Sequence, residues 1–334
     1  MSLSEASSLS SVVQNGPVPP PPPMPPLPLC KDFVSKEAEK SKGQVSMESL
    51  SAEEQGRKAY QNLLTQRLLL LSEGREATVL SCYNPLKPVL QNGPVCGLVA
   101  LSMASQFCNS CQVATDDIFC EAHKRGYSKQ GEIFSVEYLK ELSSHFLSCR
   151  VEHLFLQRQC QSGKYDKEMI IRHLLQRNVI LLPYDADKNH GPCQKRGEKA
   201  HWAVIAGIVI SFSHSASLPA SVKSKCSEDV KISSLIHWPE DPPFSLCEEL
   251  SSIITSSQIE EKQVVSSSGF GLYVYGHQGK SKHAGLWRLE EVLQSNAQLE
   301  EAGSERSEED YVFPPGGVAA GLKSQVLILK RRGA

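Results

Sequence analysis

From residue 150 onward the chain carries short apolar runs rich in Val, Ile and Leu, at 150–156, 179–184, 202–210, 270–275 and 325–329. Runs of this length and composition read as buried strands. Helical patterns mostly precede them. Residues 97–107 are small and apolar enough for a buried helix, and two further helices fit 115–125 and 135–147. A fourth fits 167–177, where Ile170/Leu174 and Ile171/Leu175 recur at four-residue spacing. Helices first and strands afterwards predict an α+β fold with a largely antiparallel sheet, not an alternating βαβ chain.

The first 47 residues are of another kind. Residues 16–29 hold the run Pro19-Pro20-Pro21-Pro22-Pro23 and then Met24-Pro25-Pro26-Leu27-Pro28. Repeated prolines fix φ and remove backbone donors, so residues 1–47 are expected to be a disordered tail with a polyproline II segment. Such a segment is either a spacer or a ligand for an aromatic-lined groove. The folded domain is expected over 48–334. Ser51 and Glu54 have capping-box spacing, and Tyr60, Leu63, Leu64 and Leu68 recur at helical intervals, predicting a helix to about residue 71. The stretch 211–268, rich in Ser with scattered Pro, reads as a flexible surface insertion.

Composition narrows the function. A net charge of −2 offers no general attraction to nucleic acid or an anionic membrane. No run of 18 or more apolar residues predicts a membrane helix. No basic-then-apolar leader is visible, so a cytoplasmic location is expected and the eleven cysteines read as reduced thiols. Cys108 and Cys111 have metal-knuckle spacing but no second pair at a suitable distance, so no metal is expected.

One cysteine stands out. In Gln91-Asn92-Gly93-Pro94-Val95-Cys96-Gly97-Leu98, Gly and Pro force a turn and an apolar helix opens at the cysteine. Free N–H groups and the positive dipole end at a helix start favour a thiolate. Gln91 offers an amide donor for a developing oxyanion, together with the Cys96 N–H. Taken alone, Cys96 reads as well as a buried residue opening a core helix. In Lys199-Ala200-His201-Trp202-Ala203-Val204, His201 stands where an apolar strand begins, placed to act as base to a cysteine nucleophile.

Together these segments resemble the papain-like cysteine peptidases, in particular the bacteriocin-processing type. His201 follows Cys96 by about a hundred positions, fewer than the ~130–150 of papain itself, which implies a compact member. With residues 93–101, 130–136 and Pro183-Tyr184-Asp185 added, the chain resembles, over about 85–330, the actin maturation protease family. The resemblance implies a papain-like fold and a cysteine aminopeptidase that removes the acetylated first residue of immature actin without a cofactor. It also implies that the Pro-rich segment 17–28 engages profilin.

The pattern departs from papain-like enzymes at the residue that orients the histidine. These usually place Asn or Asp at the start of the following strand, whereas the segment here is Gly276-His277-Gln278-Gly279-Lys280. Gln278 is the candidate orienter, with Asp185 and Asp187 as rivals. Because immature actin begins with acidic residues, the basic loop carrying Lys188, Lys195, Arg196 and Lys199 is a candidate substrate contact, with Lys195 and Arg196 at its centre. Two other readings are open: a transglutaminase-like acyl transferase using the same Cys96 and His201, and a polyproline-tethered actin or profilin adaptor on a degenerate peptidase fold.

Overall fold

The computed structural model describes residues 78–109, 111–156, 164–212, 218–230, 234–260 and 270–330. The expected tail, its polyproline run and the expected helix up to residue 71 lie outside them. Among the described residues the fold is α+β, with a mixed, mostly antiparallel sheet.

The sheet is organised by one long strand, β5 (Ala200–Phe212), whose residues 202–210 are all buried. A strand covered on both faces needs apolar side chains in both directions, which is why Trp202–Ile210 shows a continuous run and no alternation. Antiparallel to it run β3 (Val179–Ala186) along residues 200–205 and β1 (Thr78–Tyr83) along residues 207–212. A third antiparallel partner, β8 (Phe270–His277), shifts register between Ile205 and Ile208. Gly207 lies where β1 crosses most closely, and any side chain there would overlap the Cys82 carbonyl. Beyond β3 come β10 (Gln325–Lys330) and β2 (Arg150–Phe155), both antiparallel. The two-residue β4 (Pro192–Cys193) pairs with β3, and β9 (Gly285–Arg288) pairs with β8.

Alternate residues of the sheet feed two cores. Val79, Leu181, Val204, Val209 and Leu327 face one core, with α1 (Cys96–Cys108), α2 (Thr115–Lys124), α3 (Val136–Phe146) and α8 (Gly317–Leu322). Leu80, Ile180, Ile205, Ile208 and Ile328 face the other, with α4 (Lys164–Leu175), α6 (Phe244–Glu260) and α7 (Leu289–Asn296). Burial of α1 is nearly complete, since only Gln106 and Cys108 escape it. Ser135 opens α3 by accepting the Tyr138 N–H, a side-chain cap.

Two expectations are corrected. A strand precedes the helices: β1 sits inside the sheet, with β5 on one side and β7 (Leu235–His237), parallel to it, on the other. The stretch 211–268 also carries ordered elements: the end of β5, α5 (Ala220–Lys223), β6 (Ser227–Glu228), β7 and α6. Leu246, Cys247, Leu250 and Ile254 of α6 are buried in the second core, as is Trp238. Serine in a buried helix is tolerated here because Ser251 and Thr255 donate to the carbonyls of Glu248 and Ser251, one turn back. Composition therefore read as polar what the helix satisfies internally.

Candidate active site

The turn before α1 uses Gly93 at φ +80, a left-handed conformation that glycine adopts without strain. Val95 at the helix start offers no side-chain cap, so the first N–H groups of α1 stay available around Cys96. Helix α1 lies directly on β5: a Cβ on Gly97 would come within 3.1 Å of Trp202 Cδ1 and 3.3 Å of Ile133 Cβ. The Trp202 indole N–H donates to the Ile133 carbonyl at 2.9 Å and fixes the ring between helix and strand.

This packing brings the two halves of the sequence motif together. The backbone N–H of Trp202 is among the groups that act on the Cys96 thiol, favouring its thiolate. His201 is the residue before Trp202 in β5. Cys96 keeps 8% of its surface accessible, while His201 is half-buried. Burial dominates the electrostatics. It pushes the Cys96 thiol up to about 11, against the N–H groups of Trp202 and Gly97, which favour the thiolate. Burial likewise brings His201 down to about 4, helped by Lys280 and His190 and opposed by Gln278. The helix terminus thus acts in the expected direction but is outweighed by desolvation, which favours the neutral form of each group.

Tyr184 flanks His201, ring edge against ring face at 5.9 Å, with its hydroxyl on the His190 carbonyl at 2.8 Å. Gln278, only 4% exposed, approaches His201 closely enough to favour the imidazolium, and its Oε1 accepts the Lys280 N–H at 2.6 Å. His201 Nε2 is buried without a hydrogen bond. Gln91 stands nearby and donates its backbone N–H to the Gly279 carbonyl at 2.7 Å. Its side-chain amide donates to the Gly93 carbonyl at 2.7 Å, while Oε1 is buried without a partner.

A family model described as "Actin maturation protease-like, C-terminal domain" matches residues 86–209, which include both Cys96 and His201. The actin maturation protease of Mus musculus is 36% identical over 277 residues, covering 79% of this chain and 68% of the relative. The Bos taurus protein gives 36% over 277 residues, with 79% and 71% covered. For Danio rerio the values are 33% over 301 residues, with 83% and 88% covered. This chain belongs to the actin maturation protease family.

In this family member the rival carboxylates do other work. Asp185 is fully buried, and it accepts the backbone N–H groups of Lys195, Gly197 and Lys199 at 2.8, 2.8 and 3.0 Å and the Gln298 amide at 2.6 Å. Asp187 accepts from Asn189 and Gly191 at 2.7 and 2.8 Å. Both carboxylates are engaged with the loop before His201. The loop's cations are partly spoken for. Arg196 pairs with Glu300 and Glu301 at 3.3 and 2.5 Å, and Lys199 with Glu305 at 3.7 Å. Among the described residues Lys195 and Lys188 have no carboxylate partner, and both side chains are exposed.

Sequence reasoning passed over one pair entirely. Glu132 and Arg306 meet at 3.3 Å with side chains 12% and 14% exposed, and the charges of both act on Cys96. The segment Gln130-Gly131-Glu132 contributed to the resemblance, but nothing local tells an acidic residue in a turn that a distant arginine will cover it.

Proposed function

We propose that this chain is a cysteine aminopeptidase with a papain-like fold that removes the acetylated N-terminal residue of immature actin and exposes the mature acidic N-terminus. The observation that supports this reading is the close packing of Gly97, the residue after Cys96, on Trp202, the residue after His201, in a member of the actin maturation protease family. His201 takes the Cys96 proton as sulfur attacks the carbonyl of the acetylated residue. Because burial favours the neutral thiol and the neutral imidazole, proton transfer accompanies attack. The sulfur–carbon bond forms, and the imidazolium then protonates the leaving amine as the carbon–nitrogen bond breaks. Water, deprotonated by His201, releases the acetylated amino acid and restores the thiol.

The Gln91 amide is suited to the oxyanion once it leaves the Gly93 carbonyl, and backbone N–H groups at the start of α1 assist it. Gln278 is the orienter, its approach to His201 tightening as the imidazolium forms. That contact weakens the case for a degenerate adaptor, which rested on the missing Asn or Asp. Lys195 remains suited to meet acidic residues beyond the scissile bond. The Pro-rich segment 17–28 is suited to profilin, which would deliver actin in the cytoplasm. The test is mass spectrometry of actin N-termini in cells lacking the protein, rescued with wild type, Cys96→Ala or His201→Ala. Wild type restores the mature N-terminus and the two variants do not; rescue by Cys96→Ala would refute the nucleophile.

A further inference from the structure

One carboxylate oxygen, on a side chain whose charge acts on Cys96, has no partner. Glu132 Oε1 faces Arg306 Nε at 3.3 Å, whereas Oε2 is buried with no hydrogen bond. A buried acceptor left open costs stability unless something fills it, and its position indicates what does.

Glu132 is bracketed by two contacts that each lead to Cys96. On one side Gly131, at φ +110, lies so close to Val95 that a Cβ would overlap that side chain, and Val95 is the residue before Cys96. The Ser128 hydroxyl accepts the Gly131 N–H at 2.7 Å and holds the turn. On the other side the Ile133 carbonyl fixes the Trp202 indole, and both residues pack closely on Gly97, the residue after Cys96. Arg306 is secured independently, since it reaches the Glu198 carbonyl at 3.4 Å and lies over the Phe134 ring at 5.4 Å. The residues on both sides of Glu132 are therefore packed against the segments that carry Cys96 and Trp202, and the charge of Glu132 acts on the thiol.

In an N-terminal residue the nitrogen lies only ~2.5 Å from the carbonyl carbon that sulfur attacks, two bonds away. If that nitrogen is acylated, it presents one neutral N–H, which leaves water on binding and needs an acceptor. If it is free, it presents an ammonium. The ammonium would add a third charge to a pair that is already neutralised, next to a guanidinium, with little water to screen it.

We propose that Glu132, held by Arg306, accepts the N–H of the acylated residue that is to be removed, and thereby sets a preference for blocked over free N-termini. This rests on the aminopeptidase reading above. Glu132 is then a binding residue, and Arg306 acts through it by holding the site near neutrality.

The test uses the full chain and two acidic peptides of identical sequence, one N-acetylated and one with a free amine. Wild type cleaves the acetylated peptide in preference. Glu132→Ala lowers kcat/KM on the acetylated peptide by ~10–100-fold, the worth of one hydrogen bond to a charged acceptor. Glu132→Gln keeps a carbonyl oxygen and recovers most of that loss on the acetylated peptide, but none on the free one. Arg306→Gln leaves a lone carboxylate and shifts the ratio of the two peptides at least tenfold toward the free amine. Unfolding midpoints of all three variants separate a misfolded protein from a changed preference. An unchanged ratio in a folded Arg306→Gln protein, or equal losses on both peptides in Glu132→Ala and Glu132→Gln alike, overturns the proposal. Wild type that cleaves neither peptide overturns the aminopeptidase reading as well.

Discussion

Replacing Asp185 by alanine should be among the most damaging single changes outside the reacting residues. Its buried carboxylate accepts three backbone N–H groups of the loop that enters β5, and the Gln298 amide. Hydrogen bonds to a charged group contribute ~1.5–3 kcal/mol each, and a buried donor left open costs ~1–3 kcal/mol. The Gly197 N–H is fully buried and bears the full cost, while those of Lys195 and Lys199 are partly buried and recover some solvation. The carboxylate's own desolvation is relieved, which holds the total near ~4 kcal/mol. With a urea slope of ~3 kcal/mol per molar for a domain of this size, the unfolding midpoint falls by ~1.3 M. Lys199 lies two residues before His201, so peptidase turnover of the folded variant should drop ~10–100-fold through misplacement of the imidazole. The comparison is Asp187→Ala, which loses two bonds in the same loop, at ~1 kcal/mol. Equilibrium urea unfolding followed by tryptophan fluorescence reads both. Midpoints within ~0.2 M of each other would refute the view that Asp185 organises the approach to the site.

Three further outcomes are expected. Burial holds His173, His201 and His277 at about 4, below their usual 6.5, so the unfolded chain binds more protons between those values. Stability is therefore complete above pH ~6.5 and falls as pH drops toward 4, by up to ~3 kcal/mol per histidine; a urea midpoint unchanged between pH 7 and 5 contradicts this. Site-resolved alkylation of Cys96 by iodoacetamide should rise steadily with pH through neutrality, because the thiol sits at about 11; a plateau already reached by pH 6 would reveal a preformed ion pair. Lys195→Glu should raise KM for an acidic peptide more than Arg196→Glu does, since Arg196 is already paired with Glu300 and Glu301. Equal effects would remove the loop from substrate recognition.

Much of the fold was readable in advance wherever a residue's own neighbours decide its state. The runs at 179–184 and 202–210 became β3 and β5, and 115–125 and 135–147 became α2 and α3, within a few residues. β1 was not readable. Its six residues are nearly all buried, so they show no alternation, and their extended state comes from pairing with β5 and β7. α6 was hidden by polar residues such as Ser251 and Thr255, whose hydroxyls reach carbonyls one turn back only once the helix exists.

By itself the sequence determined which chemistry is on offer: a cysteine opening an apolar helix, a histidine opening an apolar strand, and the glycines that let helix and strand touch. These are local signals, carried by residue type and short spacing. Only the tertiary structure decided how those groups are tuned. Desolvation neutralises the thiol and the imidazole, Asp185 is spent on the loop rather than the histidine, and Glu132 is brought against Arg306 from far along the chain. Burial and long-range pairing arise from the packed whole, so no stretch of residues specifies them alone.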